Sequence, residues 1–156
     1  MMVYRIAKTR HIHDLSGFGA RLFGGRWNKK GMSVIYTSES ISLATVEHLV
    51  HVPFAIVPNV MSIATLKIAN SIKPRTLNIT DLPSNWRDYP SPPELAEIGT
   101  KWVLSKKSLM LRVPSAIIKF EHNVLINPSH SHMKHVKVHH VVSYKIDHRL
   151  LREQKS

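Results

Sequence analysis

Glu47 is an acid in apolar company. On a helix its neighbours three and four residues away are Leu43, Ala44, Val50 and His51, three of them apolar. Burying a carboxylate is costly unless a cation or a strong donor meets it, so either the helix is solvated along this line, which is the commoner arrangement, or the acid serves a reaction. Gly24-Gly25-Arg26-Trp27-Asn28 is a second such place. Two glycines let a backbone approach something closely, and a guanidinium fork beside a flat aromatic suits a phosphate or a ring, although a turn with a surface arginine accounts for the same residues. Tyr36 lies in the apolar run Val34-Ile35-Tyr36, where a core tyrosine with one partner for its hydroxyl is the default. Ser115 follows a strand end in Leu111-Arg112-Val113-Pro114-Ser115 and is a candidate positioned hydroxyl; no Gly-x-Ser-x-Gly elbow surrounds it, and Lys119 is four residues on, not three.

His130, His132, His135, His139 and His140 crowd the C-terminal part. Helical metal sites set histidines three or four apart with a carboxylate nearby, whereas Val136-Lys137-Val138-His139 alternates as a strand with one wet face does. A solvated basic face is the expectation, with no metal. Walker-type, Gly-x-Gly-x-x-Gly and His-Glu-x-x-His motifs are missing from the sequence, and with no cysteine there is no disulfide, thiolate ligand or thiol nucleophile.

These residues must be carried by short elements. Val3–Ala7 reads as a strand, Ser16–Gly25 as an irregular loop, and Ser33–Thr37 as a strand after a turn at Gly31. Ser38 or Ser40 is placed to cap a helix running through Leu43, Val46 and Leu49 to about His51, stopped by Pro53. Val60–Ile68 and Arg75–Ile79 read as strands, and Pro83–Pro93 as a loop carrying Trp86. Pro92-Pro93-Glu94 opens a second helix to about Ser105, since proline is tolerated in a first turn. Leu109–Val113, Val124–Ile126 and Val136–Ile146 complete six or seven strands. Because the strands come in unbroken groups, the expected fold is α+β, a mainly antiparallel sheet with two principal helices, and 1–156 is expected to form one domain.

Size and composition agree. A chain of 156 residues with 43% hydrophobic content buries one core without staples. Neither a signal peptide at Met1–Arg10 nor a membrane span is expected, which points to a soluble, cytoplasmic protein. The net charge of +12 attracts polyanions. It fits nucleic acid, an anionic small substrate such as a dinucleotide, or an acidic protein partner, and does not choose among them.

Taken in order, Gly25-Arg26-Trp27-Asn28, Gly31, Val34-Ile35-Tyr36-Thr37-Ser38, Ser42-Leu43-Ala44 with Glu47 and His51, Val113-Pro114-Ser115 and Asn123 through Asn127-Pro128 resemble the RES domain, over most of the chain. The resemblance implies a fold similar to diphtheria-toxin-type ADP-ribosyltransferases. It implies the toxin of a type II toxin–antitoxin system that consumes NAD+ as substrate, not cofactor, or in some members ADP-ribosylates a protein. It also implies an Xre-like DNA-binding antitoxin as partner, and allows a toxin homodimer inside the hetero-oligomer. Arg26, Tyr36, Glu47 and Ser115 carry over as catalytic or substrate-contacting, with Trp27 and Asn123 as further substrate-binding candidates.

Cleaving the nicotinamide–ribose bond builds positive charge on the ribose, which a carboxylate stabilises. Glu47 takes that role and could orient the acceptor, be it water, phosphate or a protein. Tyr36 would stack on the nicotinamide, Arg26 would hold the pyrophosphate or the ligand's departing end, and Ser115 would position ribose or amide. The competing reading is a basic nucleic-acid binder or ribonuclease using paired histidines, but no nucleic-acid motif supports direct binding. A catalytically silent interaction module is a further one.

Overall fold

The structure is a computed structural model that describes residues 1–51 and 60–151. Its strands are β1 (Met2–Lys8), β2 (Ile35–Ser38), β3 (Met61–Ile68), β4 (Arg75–Thr76), β5 (Met110–Pro114), β6 (His122–Ile126) and β7 (Val136–Tyr144), and its helices α1 (Phe18–Phe23), α2 (Ile41–Leu49) and α3 (Pro93–Ser105). The strands form one sheet in the order β4-β5-β6-β2-β1-β3-β7. Only the β4–β5 pair is parallel, so the expected α+β fold with a mainly antiparallel sheet is the one observed. No helix among the described residues is long and apolar enough to cross a membrane.

Alternation along the strands splits the apolar residues between two cores, one on each face of the sheet. Val124 and Ile126 of β6 enter the first with Val3, Leu66 and Ile68, while Leu125 between them enters the second. Trp27, Trp86 and Trp102 join that second core, where α3 packs with Leu95 and Val103.

The sheet has a seam. β1 pairs with β3 at every residue from Met2 to Lys8, and β2 pairs with β6 from Ile35 to Ser38. β1 and β2 meet only at Tyr4 and Ser38. Two well-bonded half-sheets therefore diverge from a single point of contact, and α2 packs against both β1 and β2. Ser40 caps α2, its Oγ accepting from Leu43 N at 3.0 Å.

Several element bounds differ from the sequence reading. The segment read as an irregular loop contains α1, a short helix bracketed by Gly17 and Gly24, both at φ 70°. Glycines in the left-handed region mark its two ends. The strand expected over Arg75–Ile79 shrinks to Arg75–Thr76 because Ile79–Asp81 coils into a 3₁₀ turn. Val60 lies outside β3, Ser33 and Val34 outside β2, and β7 stops at Tyr144, short of Ile146. α2 ends at Leu49, with one further turn from His51 N to His48 O at 3.2 Å; the stop assigned to Pro53 lies outside the described residues.

α3 and the Arg26 loop touch backbone to backbone. A Cβ on Gly99 would lie 1.8 Å from Trp27 O. Gly99→Ala must push the helix off the loop and is expected to destabilise the protein by about 1–3 kcal/mol, read from the urea midpoint; an unchanged midpoint would show that this contact is not tight.

Candidate active site

A cleft of about 400 Å³ opens along the seam. Arg5 of β1 and Tyr36, Thr37 and Ser38 of β2 line it, together with Glu47 and His48 of α2, His51, the Phe23–Trp27 turn and Asn123 of β6. Among the described residues of this lining Glu47 is the one acid, against two arginines and two histidines.

Glu47 is half-buried. Its Oε1 accepts from Ser115 Oγ at 2.8 Å and from Asn123 Nδ2 at 2.6 Å, while Oε2 receives no hydrogen bond from the described residues. The solvated helix line, the commoner arrangement in sequence terms, is therefore not what the structure adopts. Ser38 Oγ, itself buried, donates to Asn123 Oδ1 at 2.6 Å, which orients the amide so that its NH₂ faces the acid. Ser115 Oγ also accepts from Ile117 N at 3.1 Å and Ile118 N at 3.0 Å. With 2% exposure, Ser115 stands behind Glu47, while its neighbours Pro114 and Ala116 line the cleft.

Two guanidinium groups are held by carbonyls instead of acids. Arg26 donates to Trp86 O at 2.7 Å and Asp88 O at 3.1 Å, and Arg5 to Asp14 O and His11 O. Burial lowers the pKa of both, opposed at Arg26 chiefly by Glu47 and at Arg5 by Asp14; with so high a starting value both remain cations. Since a guanidinium has five N–H donors, each keeps some for a ligand.

Tyr36 is fixed at its hydroxyl, which donates to Asn28 Oδ1 at 2.7 Å and accepts from Trp27 N at 3.1 Å. Burial raises its pKa far above the usual tyrosine range, so it is a neutral phenol whose contribution to the cleft is its ring. Gly25 permits this: a Cβ there would lie 2.7 Å from the Tyr36 hydroxyl. Trp27 borders the cleft, but its side chain, at 2% exposure, is packed in the second core; its backbone N–H anchors Tyr36. Burial and, secondarily, His51 lower the pKa of His48, and its Nε2 is buried with no partner among the described residues.

The cleft thus gathers Arg26, Tyr36, Glu47 and Asn123, with Ser115 behind the acid. Sequence reasoning missed Arg5, Ser38 and His48. A cation in the middle of the apolar strand Val3–Ala7 is the signal for Arg5; nothing local marks Ser38, whose partner is 85 residues away. The C-terminal histidines lie elsewhere. The rings of His130, His132 and His135 make edge contacts at 5.1 and 5.8 Å, and no group of three or more His, Asp or Glu among the described residues could hold a metal.

An α+β fold whose seam presents one half-satisfied carboxylate, two arginines and a fixed aromatic ring has the chemistry of a cleft for an anionic, ring-bearing ligand. The RES domain family model matches residues 2–150. The chain is 40% identical to "Toxin Res" of Yersinia enterocolitica over 131 residues, 83% of this chain and 86% of the relative. It is 32% identical to the "Prs ADP-ribosylating toxin" of Sphingobium sp., over 94% of this chain and 92% of that one. Its fold matches a chain in the crystal structure of the M. tuberculosis MbcT–MbcA toxin–antitoxin complex with a TM-score of 0.70 at 17% identity, covering 92% of this chain and 83% of the other. The chain belongs to the RES domain family of toxins.

Because Ser115 and Asn123 donate to the same oxygen, their contributions should couple. Ser115→Ala and Asn123→Ala are each expected to cost about 1–3 kcal/mol in urea unfolding, with the double variant departing from their sum by at least about 0.5 kcal/mol. Additive losses would show that the two side chains do not share Glu47.

Proposed function

We propose that this toxin binds NAD+ in the seam cleft and breaks the bond between ribose C1′ and the nicotinamide nitrogen. The carrying observation is Glu47: one oxygen locked by Ser115 and Asn123 and the other without a hydrogen bond from the described residues, in a lining whose other charged side chains are Arg5 and Arg26. As the C1′–N bond breaks, its electron pair goes to the ring nitrogen and neutralises the pyridinium, so the leaving group departs as neutral nicotinamide. The ribose carbon becomes oxocarbenium-like, and a carboxylate fixed before the reaction stabilises that charge without reorganising. On this reading no metal is needed, since the leaving group already carries the positive charge.

Arg26 and Arg5 would hold the pyrophosphate through charge-assisted hydrogen bonds, and the Tyr36 ring would take the nicotinamide. Trp27, Ser115 and Asn123 would act mainly by fixing Tyr36 and Glu47. The acceptor attacks C1′ and gives up its proton. Water would make the chain a glycohydrolase and phosphate a phosphorylase, and a protein side chain would make it an ADP-ribosyltransferase, a reading favoured by the name of the Sphingobium relative. The proposed partner is an Xre-like antitoxin, consistent with a structural relative solved within a toxin–antitoxin complex and with a surface of net charge +12 that suits an acidic partner face.

Purified chain is expected to release nicotinamide from NAD+. Glu47→Gln should lower kcat by at least about 100-fold, whereas Arg5→Ala and Arg26→Ala should mainly raise KM; intracellular NAD+ should fall on induction of the wild type and hold with Glu47→Gln. Growth arrest that persists in Glu47→Gln with NAD+ steady would sink the assignment, and labelled ADP-ribose appearing on a protein would select the transferase form.

A further inference from the structure

α1 leaves its aromatic side chains in solvent. Phe23 is 76% exposed, Phe18 54% and Leu22 49%, although isolating a phenylalanine from the core forgoes about 1.5–3 kcal/mol of burial. The helix is not loose. Ala20 O and Arg21 O accept from Asn28 Nδ2 and Gly31 N, both at 2.8 Å, which clamps α1 onto the turn that carries Arg26. Phe23 lines the same cleft as Glu47 and stands three residues before Arg26, across Gly24-Gly25. A Cβ on Gly19, one turn earlier on the same helix and also in the lining, would meet nothing within 4 Å, so the cleft is open at that position.

We infer that Phe23 is the stacking platform for the second base of the dinucleotide, the adenine. This deepens the NAD+ reading and rests on it. A dinucleotide has two planar ends joined by a pyrophosphate, and the cleft lining holds a matching set: the Tyr36 ring, the guanidinium of Arg26 within the electrostatic reach of Glu47 and Tyr36, and the exposed Phe23 ring on a clamped helix. Every nucleobase has a π-face, so stacking of this kind recognises a base without hydrogen bonds. Phe23 is thus a binding residue remote from the bond that breaks, and its loss should show in affinity, not in the chemical step.

The test uses ADP, which carries the adenine and the pyrophosphate but no nicotinamide, and so reads the subsite whether or not NAD+ is turned over. Trp27, Trp86 and Trp102 are all buried, at 2, 8 and 3% exposure, so the new indole in Phe23→Trp is distinguishable by its exposed-type emission. ADP should quench that emission saturably and inorganic pyrophosphate should not. In Phe23→Ala, the ADP dissociation constant and the KM for NAD+ are expected to rise about tenfold, the size of one base–aromatic stack, with kcat and the pyrophosphate affinity within twofold of wild type. Nicotinamide mononucleotide, which lacks the adenylate, should be processed equally by both. Equal ADP affinity in wild type and Phe23→Ala, or no quenching in Phe23→Trp, would overturn the inference; a quench by ADP without any release of nicotinamide from NAD+ would uphold the subsite and overturn the proposed reaction.

Discussion

Two donors from the two arms of one hairpin meet on Oε1 of Glu47. Ser115 leaves the end of β5 and Asn123 lies near the start of β6, and the register that pairs Val113 with Asn123 and Pro114 with His122 brings both to the same place. Ser115 N donates to Glu121 O at 2.9 Å, closing the turn behind them. A strand slip of one residue would turn Asn123 to the opposite face and leave the acid half-buried with one donor fewer. The geometry at the carboxylate is thus set by sheet register, the property that the alternating apolar residues of β5 and β6 enforce, because Leu111, Val113 and Leu125 must face one core and Met110, Val124 and Ile126 the other.

The same hairpin reaches the arginine side of the cleft through the loop after Leu82. Arg87 donates to Ala116 O at 3.1 Å and Ile117 O at 3.4 Å, while the carbonyls of its neighbours Trp86 and Asp88 accept from Arg26. Trp86 is buried in the second core and anchors this loop. Glu47, the Ser115 turn, the Trp86 loop and Arg26 are therefore linked by one run of contacts drawn from four distant segments. Such a network holds charged groups where they are needed before a ligand arrives, which is where electrostatic catalysis gets its advantage over water.

Composition and periodicity made the α+β class legible, because grouped strands, a serine-capped helix after Tyr36 and a proline-started helix at Pro93 are local signals. The failures were local too. Ser16–Gly25 was read through its glycines as irregular, yet Gly17 and Gly24 are the ends of α1, held in place by Asn28 and Gly31 from outside the segment. On the site, motif order pointed to residues that the fold brings to one cleft, without showing how each is placed there. Arg26, Tyr36 and Glu47 reach the cleft themselves, whereas Ser115 and the Trp27 ring are turned inward; that division depends on which face each strand residue takes and on partners 60 to 76 residues off. Arg5 carried one local signal, a cation inside an apolar strand, but that it faces the cleft depends on β1 parting from β2, and a divergence between strands leaves no mark in either sequence.

How each arginine is held decides what its charge is for. Arg112 is bound at both ends of its fork by Glu39, at 2.5 and 3.1 Å, so its charge is met by a carboxylate and little of its field is left for anything else. Arg5 and Arg26 are fixed as firmly, but by carbonyl dipoles, which orient a guanidinium without neutralising it. In the partly dehydrated seam their field is stronger than on the open surface, and among the described residues of the lining only Glu47 opposes it. A cleft built this way attracts an anion to one part and leaves a lone carboxylate to act in another, two charges of opposite sign that would collapse onto each other were each not held by its own hydrogen bonds. Separating them is the work of the divided sheet: β1 brings Arg5 from one half, β5 and β6 bring the donors for Glu47 from the other, and the single contact between Tyr4 and Ser38 keeps the halves joined while the space between them stays open.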